Sequence, residues 1–344
     1  MRNQWRFIPT IRLACAAAYL CMASFLFAQD DPVTLRTEAQ IKNFYLQREQ
    51  QAPEQVKKEL TTLRARIKKD KLGFTVGYTG ASNRSLKVLA GEKNQVPPTE
   101  VARIIKLMRE RQPDSDDQDQ AGALPAKWDS RSKNWVSGVR DQENCGSCWA
   151  FAAVAMYESS WLKRYAGSLN TSEQQALDCS DGGSCDGGFS YKVFDWMIDK
   201  KKNLKKEAGY PYVAKDKPCP ATATNTQFYA KSWKVLRPDG DITKIADVAT
   251  IKKAIMKYGA VCASLVANSD WNHYTGGVLN GMPSNAANPS SNHAILIVGW
   301  NDAKKAFLVK NSWGKDWGLD GYCWVKYNTY NIGRRASVVV ANKQ

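Results

Sequence analysis

The chain has 344 residues, of which 43% are hydrophobic and 24% charged, so it is long enough to bury a substantial core. Its formal net charge is +16 at pH 7. Such a charge is compatible with nucleic-acid binding, but the sequence carries no nucleic-acid motif, so we expect a solvated basic surface and no nucleic-acid partner. With two histidines in the whole chain, few arrangements for acid–base chemistry or metal binding are available.

The first 28 residues have the pattern of a secretory signal peptide. Three arginines precede an uncharged stretch, 13–28, which ends in the small residue Ala28. This stretch is shorter than the roughly 20 residues of a membrane-spanning helix, so we favour a cleaved signal over an uncleaved anchor. We therefore expect an exported protein, secreted, periplasmic or lysosome-like, without membrane attachment after cleavage and in a compartment that allows disulfides.

Residues 29–123, called the pro-segment below, differ in composition from the rest of the chain. Apolar residues at helical spacing predict an amphipathic helix over 56–70, and Pro98 and Thr99 are placed to start a second helix. The stretch 114–123 is acidic and almost free of apolar residues. It predicts an exposed linker, where proteolysis concentrates.

From Leu124 onward the chain is rich in tryptophan and contains seven cysteines. The apolar spacing over 148–167 predicts a helix. The run 294–300 predicts a buried strand, and 306–314 predicts the next strand, paired with it across a short turn.

Cys145 and Cys148 are separated by two residues in the stretch NCGSCWAF. The spacing is compatible with a redox disulfide, with half of a zinc site, or with a structural cysteine beside a reactive one. A zinc site would need a second Cys or His pair at short spacing, which the sequence lacks. A thioredoxin-like motif would lie between a strand and a helix, whereas a Gly-Ser pair here leads into Trp149. A nucleophilic cysteine would need a base, a group that orients the base, and donors for an oxyanion.

Three ordered stretches resemble the signature blocks of papain-like cysteine proteases, the cathepsin family: DQENCGSCWAF, SNHAILIVGW and VKNSWGKDWGLDGYCWVKY. The C-G-[SA]-C-[WY] pattern belongs to this family, with a His and an Asn about 130–150 residues downstream. His293 lies within that interval and Asn311 slightly beyond it. The resemblance spans 124–344 and implies an α+β, papain-like two-domain fold with the active-site cleft between a helical domain, 124–231, and a β-barrel-like domain, 232–344.

The resemblance also implies roles for individual residues. Cys148 would be the nucleophile and would form a thiolate–imidazolium pair with His293, which then protonates the leaving amine, and Asn311 would orient the imidazole. Gln142 and the backbone N–H of Cys148 would stabilise the oxyanion. Trp313 would cover the bond between Asn311 and His293 and would also contact the substrate.

Substrate contacts are implied for Gly187 and Gly188, whose backbone would pair with an extended peptide. Phe189, Ser264 and Ala294 would line the pocket for the second residue before the scissile bond. Because Ser264 and Ala294 are small, the pocket has room for a bulky apolar side chain. Arg334 and Arg335 could instead reach the pocket floor and favour an acidic residue, and the sequence leaves both readings open. His273 is interpreted as structural or partly exposed.

The cysteines follow the family only in part. The resemblance implies two disulfides, Cys145–Cys185 and Cys179–Cys219, but the family's usual third bridge has no counterpart here. Cys262 and Cys323 remain, both in predicted strands. We hypothesise a disulfide between these two, the alternative being two buried free thiols.

Taken together, the resemblance implies a cysteine endopeptidase made as a zymogen, monomeric, without metal or cofactor. Its partners would be polypeptide substrates, its own pro-segment as an intramolecular inhibitor, and cystatin-like inhibitors. The pro-segment looks more like that of the cathepsin B-like branch than that of the cathepsin L-like branch. Two alternatives stay open, namely a peptide ligase or transpeptidase using the same triad, and a non-enzymatic relative.

Overall fold

A computed structural model describes Met1 and residues 35–110, 123–220 and 226–343. Apart from Met1, the described residues all belong to one compact unit, 33–344. The expected signal peptide and nearly all of the expected linker lie outside the described residues. Within the described ranges, no helix is long and apolar enough to cross a membrane.

The pro-segment contains four helices and one strand in its described part. They are α1 Glu38–Gln50, α2 Glu54–Lys69, β1 Phe74–Val76, α3 Leu86–Leu89 and α4 Pro98–Glu110. Helix α2 confirms the helix predicted from apolar spacing, and α4 confirms the one expected to start at Pro98 and Thr99. Helix α1 was not predicted, although Thr37 and Gln40 form a capping box at its start.

The helices of the region after Leu124 lie mostly in its first half. They are α5 Cys148–Tyr165, α6 Glu173–Cys179, α7 Ser190–Asp199, α8 Val248–Tyr258 and α9 Ser269–Asn272. Helix α5 is buried from its first residue through Leu162 and contacts the sheet, which explains its run of small and aromatic residues. The predicted helix over 148–167 is confirmed, ending two residues earlier.

Nine strands of the described chain form one mixed sheet. Besides β1 they are β2 Lys127–Asp129, β5 Phe228–Val235, β6 Val261–Leu265, β7 Tyr274–Leu279, β8 His293–Asn301, β9 Ala306–Lys310, β10 Tyr322–Lys326 and β11 Arg334–Lys343. Their order is β1-β7-β10-β9-β8-β6-β11-β5, and β2 pairs with β8. Two short strands, β3 Gly183–Ser184 and β4 Gly187–Gly188, pair separately. The predicted pair β8 and β9 is confirmed as antiparallel neighbours, and β1 adds the pro-segment to the sheet edge.

The architecture is α+β, as the resemblance implied. Strand β5 runs across residue 231, so the boundary expected there would fall inside a strand. The division into 124–231 and 232–344 stays a prediction.

Two of the three disulfide pairings are present. Cys145 is bonded to Cys185 and Cys179 to Cys219. The hypothesised bridge between Cys262 and Cys323 is wrong, because both are buried free thiols. Strand order explains the error: β8 and β9 lie between β6, which carries Cys262, and β10, which carries Cys323. Three interstrand spacings amount to about 14 Å, far beyond the Cα separation that a disulfide allows.

This arrangement predicts a definite pattern of thiol labelling. Burial raises the pKa of both the Cys262 and Cys323 thiols, so neither should be alkylated in the native chain. After denaturation without reductant both should be alkylated, whereas the cysteines of the two disulfides stay protected. Mass spectrometry of the peptides measures this, and recovery of a disulfide-linked peptide pair containing Cys262 and Cys323 would contradict the strand order.

Candidate active site

Cys148 is the first residue of α5, where backbone N–H groups are free of intrahelical partners. Its Sγ accepts a hydrogen bond from the N–H of Ala294 at 3.5 Å. The stretch that contains Cys148 and the stretch that contains His293, far apart in the sequence, are therefore in contact here. The side chain is completely buried. Burial, with a contribution from the Glu92 carboxylate, raises the pKa of the Cys148 thiol to about 12, against the opposing effect of backbone N–H groups including that of Gly91.

His293 begins β8, and Asn311 directly follows the neighbouring strand β9. The imidazole Nε2 lies 2.8 Å from Oδ1 of Asn311. The same Oδ1 accepts the N–H of Ser312 at 2.8 Å, which fixes it as an acceptor and places the imidazole proton on Nε2. Among the described residues, His293 Nδ1 has no hydrogen-bond partner, so it is the nitrogen available as a base. Burial lowers the pKa of His293 to about 4, with Asn311 opposing.

The imidazole is enclosed by aromatic rings. The ring of Trp313 is 4.8 Å from that of His293, centroid to centroid, and Trp271 lies at 6.3 Å. Both tryptophans are fully buried. They exclude water from the bond between His293 and Asn311, which strengthens it.

The side-chain amide of Gln142 is fixed by hydrogen bonds from both its oxygen and its nitrogen. Its Oε1 accepts a hydrogen bond from the hydroxyl of Ser312 at 2.6 Å, which turns the amide nitrogen the other way. That Nε2 donates to the carbonyl oxygens of Cys145 at 2.9 Å and of the pro-segment residues Val88 and Leu89 at 3.1 and 3.3 Å. The amide therefore already polarises peptide carbonyls beside Cys148.

The pro-segment runs through the same cleft as an extended chain. The N–H of Gly188 donates to the carbonyl of Gly91 at 2.8 Å, and the N–H of Lys93 donates to the carbonyl of Gly188 at 3.0 Å. On the other wall, the N–H of Glu92 donates to the carbonyl of Asn292 at 2.8 Å. These three bonds hold a peptide backbone between the two walls, the pairing that the resemblance implied for Gly188.

The remaining predicted substrate residues border this chain. Gly187 adjoins Gly188 in β4, and the indole N–H of Trp313 donates to the carbonyl of Leu89 at 3.1 Å. The hydroxyl of Ser264 donates to the Glu92 carboxylate at 3.1 Å, and Ala294 is the cross-strand partner of Ser264. The Phe189 ring lies beside the guanidinium of Arg335, 5.1 Å away.

Two features were missed at the sequence level, and a third, His273, was described there only by two alternatives. Ser312, which holds Gln142, lies inside the NSWG stretch and could have been found there. Glu92 fills the pocket but belongs to no motif. His273 is buried, with the Ser82 hydroxyl 2.9 Å from its Nδ1 and the Glu59 carboxylate 3.4 Å from its Nε2. Both partners belong to the pro-segment, so of the two interpretations, structural or partly exposed, this form agrees with the structural one, and burial lowers the pKa of His273.

Comparison with known proteins agrees with this geometry. The profile of the papain family cysteine proteases matches residues 124–342, so the chain belongs to that family. Cathepsin J of Rattus norvegicus is 35% identical over 209 residues, covering 58% of this chain and 59% of that protein. Cathepsin O of Homo sapiens is 31% identical over 220 residues, covering 63% and 65%. The chain thus matches about three fifths of the length of these curated relatives.

Solved structures extend the likeness of fold into the pro-segment. A digestive procathepsin L 3 from the larval midgut of Tenebrio molitor has a TM-score of 0.67 at 23% identity, over 88% of this chain and 98% of that one. The proform of the Amb a 11 cysteine protease, a ragweed pollen allergen, has a TM-score of 0.66 at 23% identity, over 90% and 97%. Coverage of this extent reaches beyond 124–342. At 23% identity this likeness concerns the fold alone, and the expectation of a cathepsin B-like pro-segment stays a prediction.

The buried pair of Cys148 and His293 predicts a slowly reacting thiol while the pro-segment is bound. A pKa of about 12 leaves a thiolate fraction of about 10⁻⁵ at pH 7. Alkylation of Cys148 by iodoacetamide should therefore be slow and rise about tenfold per pH unit between pH 6 and 9. Without the pro-segment, the rate at pH 6 should be at least about 100-fold higher, because the sulfur regains water and the helix N-terminus favours the thiolate.

Peptide mass spectrometry reports this rate, with the buried Cys323 as an internal control that stays unlabelled in both forms. Equal Cys148 rates with and without the pro-segment would contradict burial as the cause.

Proposed function

We propose that this chain is a cysteine endopeptidase made as a zymogen, which hydrolyses peptide bonds through an acyl-enzyme intermediate. The observation that carries the proposal is the contact of Cys148 and Gln142 with one short stretch of pro-segment backbone, with Ala294, the neighbour of His293, hydrogen-bonded to the Cys148 sulfur. A nucleophile, a base with a fixed tautomer and an amide donor are the groups that acyl transfer needs. No metal or cofactor enters the proposed reaction.

In the proposed mechanism, His293 Nδ1 takes the thiol proton of Cys148, and the resulting thiolate attacks the substrate carbonyl carbon. The oxyanion is stabilised by Gln142 Nε2 and the backbone N–H of Cys148. His293 then gives its proton to the leaving amine, and water, deprotonated by the same imidazole, hydrolyses the thioester. Asn311 keeps the imidazole in the tautomer and orientation that these transfers require.

The bound pro-segment would inhibit because it offers the nucleophile no electrophile. The carbonyl that Gln142 contacts beside the indole of Trp313 belongs to Leu89, whereas the backbone N–H of Gly91 faces the sulfur. A sulfur that meets an N–H has no carbonyl carbon to attack. The segment thus fills the oxyanion site and the wall at Gly188 without being cleaved.

The remaining expectations belong to this proposal. The proposal is consistent with export through residues 1–28 and with activation by a cut before Leu124. It is also consistent with a helical domain and a β-rich domain on either side of the cleft, and with a monomeric enzyme inhibited by cystatin-like proteins. Polypeptides are the proposed substrates.

Labelling with an epoxide inhibitor of papain-like proteases tests the proposal. The enzyme freed of its pro-segment should be labelled on Cys148 and should hydrolyse dipeptidyl reporters. Cys148→Ala should abolish labelling and lower kcat/KM by at least about 10³-fold. Cys323→Ala, which removes another buried free thiol, is the matched control and should keep both.

Labelling that survives in Cys148→Ala would overturn the assignment. Mass analysis of the products with an added amine separates hydrolysis from transpeptidation, since only the latter transfers the acyl group to that amine.

The close packing at Gly91 predicts that a larger residue there weakens the binding of the pro-segment. A Cβ at this position would lie 1.8 Å from the carbonyl oxygen of Gly146, a contact that backbone atoms cannot relieve in place. Gly91→Ala should therefore lift the chain out of the cleft and weaken inhibition by at least about tenfold, or about 1.4 kcal/mol.

The inhibition constant of the isolated pro-segment, added to the mature enzyme, measures this. A Cβ on Gly209 meets nothing within 4 Å, so Gly209→Ala in the enzyme is the control and should leave the constant unchanged. Undiminished inhibition by the Gly91→Ala segment would refute the close approach to Gly146.

A further inference from the structure

The pro-segment residue Glu92 places its carboxylate in the pocket beside Gly188. Its side chain is 1% exposed, and that of Arg335, which it meets, is 3% exposed. Glu92 Oε1 accepts hydrogen bonds from Arg335 Nη1 at 2.8 Å and from the Ser264 hydroxyl at 3.1 Å. A carboxylate buried to this degree is stable only beside a cation. The floor of the pocket is therefore cationic.

Arg335 is held in this position by the backbone and by an aromatic ring. Its φ is 55°, in the left-handed region that arginine rarely adopts. The residue lies where the pairing of β11 with β6 shifts register, between the partners Arg334↔Ser264 and Ser337↔Cys262. Its guanidinium packs 5.1 Å from the centre of the Phe189 ring. Unusual backbone conformations of this kind cluster at binding sites.

Removal of the pro-segment takes away most of the partners of this guanidinium. Arg335 bonds to Glu92, to the carbonyl of Asn94 at 2.6 Å and to the hydroxyl of Ser291 at 3.3 Å. Only Ser291 belongs to the enzyme itself. Within the described residues, the salt bridge of Arg335 is the one to Glu92.

A second cation stands next to the first. Arg334 bonds to Ser291 at 2.6 Å and to the carbonyl of Thr243 at 3.0 Å, and its other bonds go to Asn94. Burial and the adjacent Arg335 lower the pKa of Arg334 to about 10, while Glu92 and, to a smaller extent, Asp241 oppose this. Two neighbouring buried guanidinium groups repel each other, so an anion entering the pocket relieves the repulsion of both.

These contacts decide between the two readings of the pocket that the sequence left open. An apolar side chain would cover Arg335 without pairing it, and an unpaired buried charge is strongly unfavourable. We propose that the mature enzyme selects an acidic side chain, glutamate before others, at the second residue before the scissile bond, with Arg335 as the specificity-determining residue. This inference rests on the proposed peptidase function. Glu92 then holds the pro-segment in the cleft by the contact that a substrate glutamate would make.

Reporter substrates that differ only at this second position test the inference. Blocked dipeptidyl aminocoumarins with Glu, Gln, Leu or Arg there, and the same residue next to the leaving group, give kcat/KM at pH 6. Gln matches Glu in size and lacks its charge, so the Glu/Gln ratio isolates the ion pair. We expect a ratio of at least about ten, which falls toward one below about pH 4 as the substrate carboxyl becomes protonated.

Variants of Arg335 provide a second test of the inference. Arg335→Gln should bring the Glu/Gln ratio close to one, and Arg335→Glu should make the Arg substrate better than the Glu substrate. The control is Arg237→Gln, which removes a surface arginine paired with Asp239 and should keep the wild-type ratio. Titration with the epoxide inhibitor counts competent sites in every variant, so misfolding cannot imitate a change in preference.

The outcomes separate the two proposals. An enzyme that is labelled on Cys148 but cleaves the Leu or Gln reporter as well as the Glu reporter would overturn acidic selectivity and leave the peptidase function standing. An enzyme that is neither labelled nor active on any reporter would overturn the proposed function, and the inference with it. If the Arg335 variants fail to fold, the wild-type Glu/Gln ratio and its pH dependence still decide.

Discussion

The described structure depends on one set of backbone hydrogen bonds, those that tie residues 91–93 to Gly188 and Asn292 on opposite walls of the cleft. They require a chain without side-chain bulk at Gly91, because the backbone of Gly146 is in contact there. With the backbone so placed, Cys148 and His293 are buried, and burial moves the pKa of the thiol up and that of the imidazole down. The position of the pro-segment therefore also determines the protonation states of Cys148 and His293.

The positive charges of the pro-segment are explained by their partners on the enzyme. Its arginines lie against aspartates of the enzyme, as in the pairs of Arg48 with Asp316 at 3.0 Å and Arg84 with Asp141 at 2.6 Å. Exposed pairs of this kind each contribute about 0–1 kcal/mol. The pair of Arg66 with Asp270 differs, because Asp270 is completely buried. At the exposed pairs, complementary charge therefore contributes to the register of the pro-segment on the enzyme more than to its affinity.

Much of the site could be predicted from the sequence because its residues lie in compact motifs. Cys148, His293, Asn311 and Gln142 each belong to a stretch whose local pattern is recognisable, and the structure brings these stretches together. The error over Cys262 and Cys323 has a different origin. Both strands were predicted, but the order of strands in a sheet depends on packing across the whole fold, which no local pattern encodes.

Other features could not be predicted from the sequence, for related physical reasons. Helix α1 buries only Ile41 and Tyr45, so it lacks the apolar stripe from which helices are predicted, and only its capping box marks it. From the sequence alone, Glu92 would be predicted as an ordinary exposed glutamate, because only the fold brings Arg335, far along the chain, opposite it. That placement depends on a register shift in β11, which the sequence does not reveal.

Hydrogen–deuterium exchange of the backbone amides of Glu92, Lys93 and Gly188 tests the central claim most directly. In the zymogen, where each donates a hydrogen bond across the cleft, all three should exchange as slowly as amides of the central strand β8. After removal of the pro-segment, the Gly188 amide should exchange at least about 100-fold faster, because its acceptor has left. Fast exchange of the three amides in the zymogen would contradict the account.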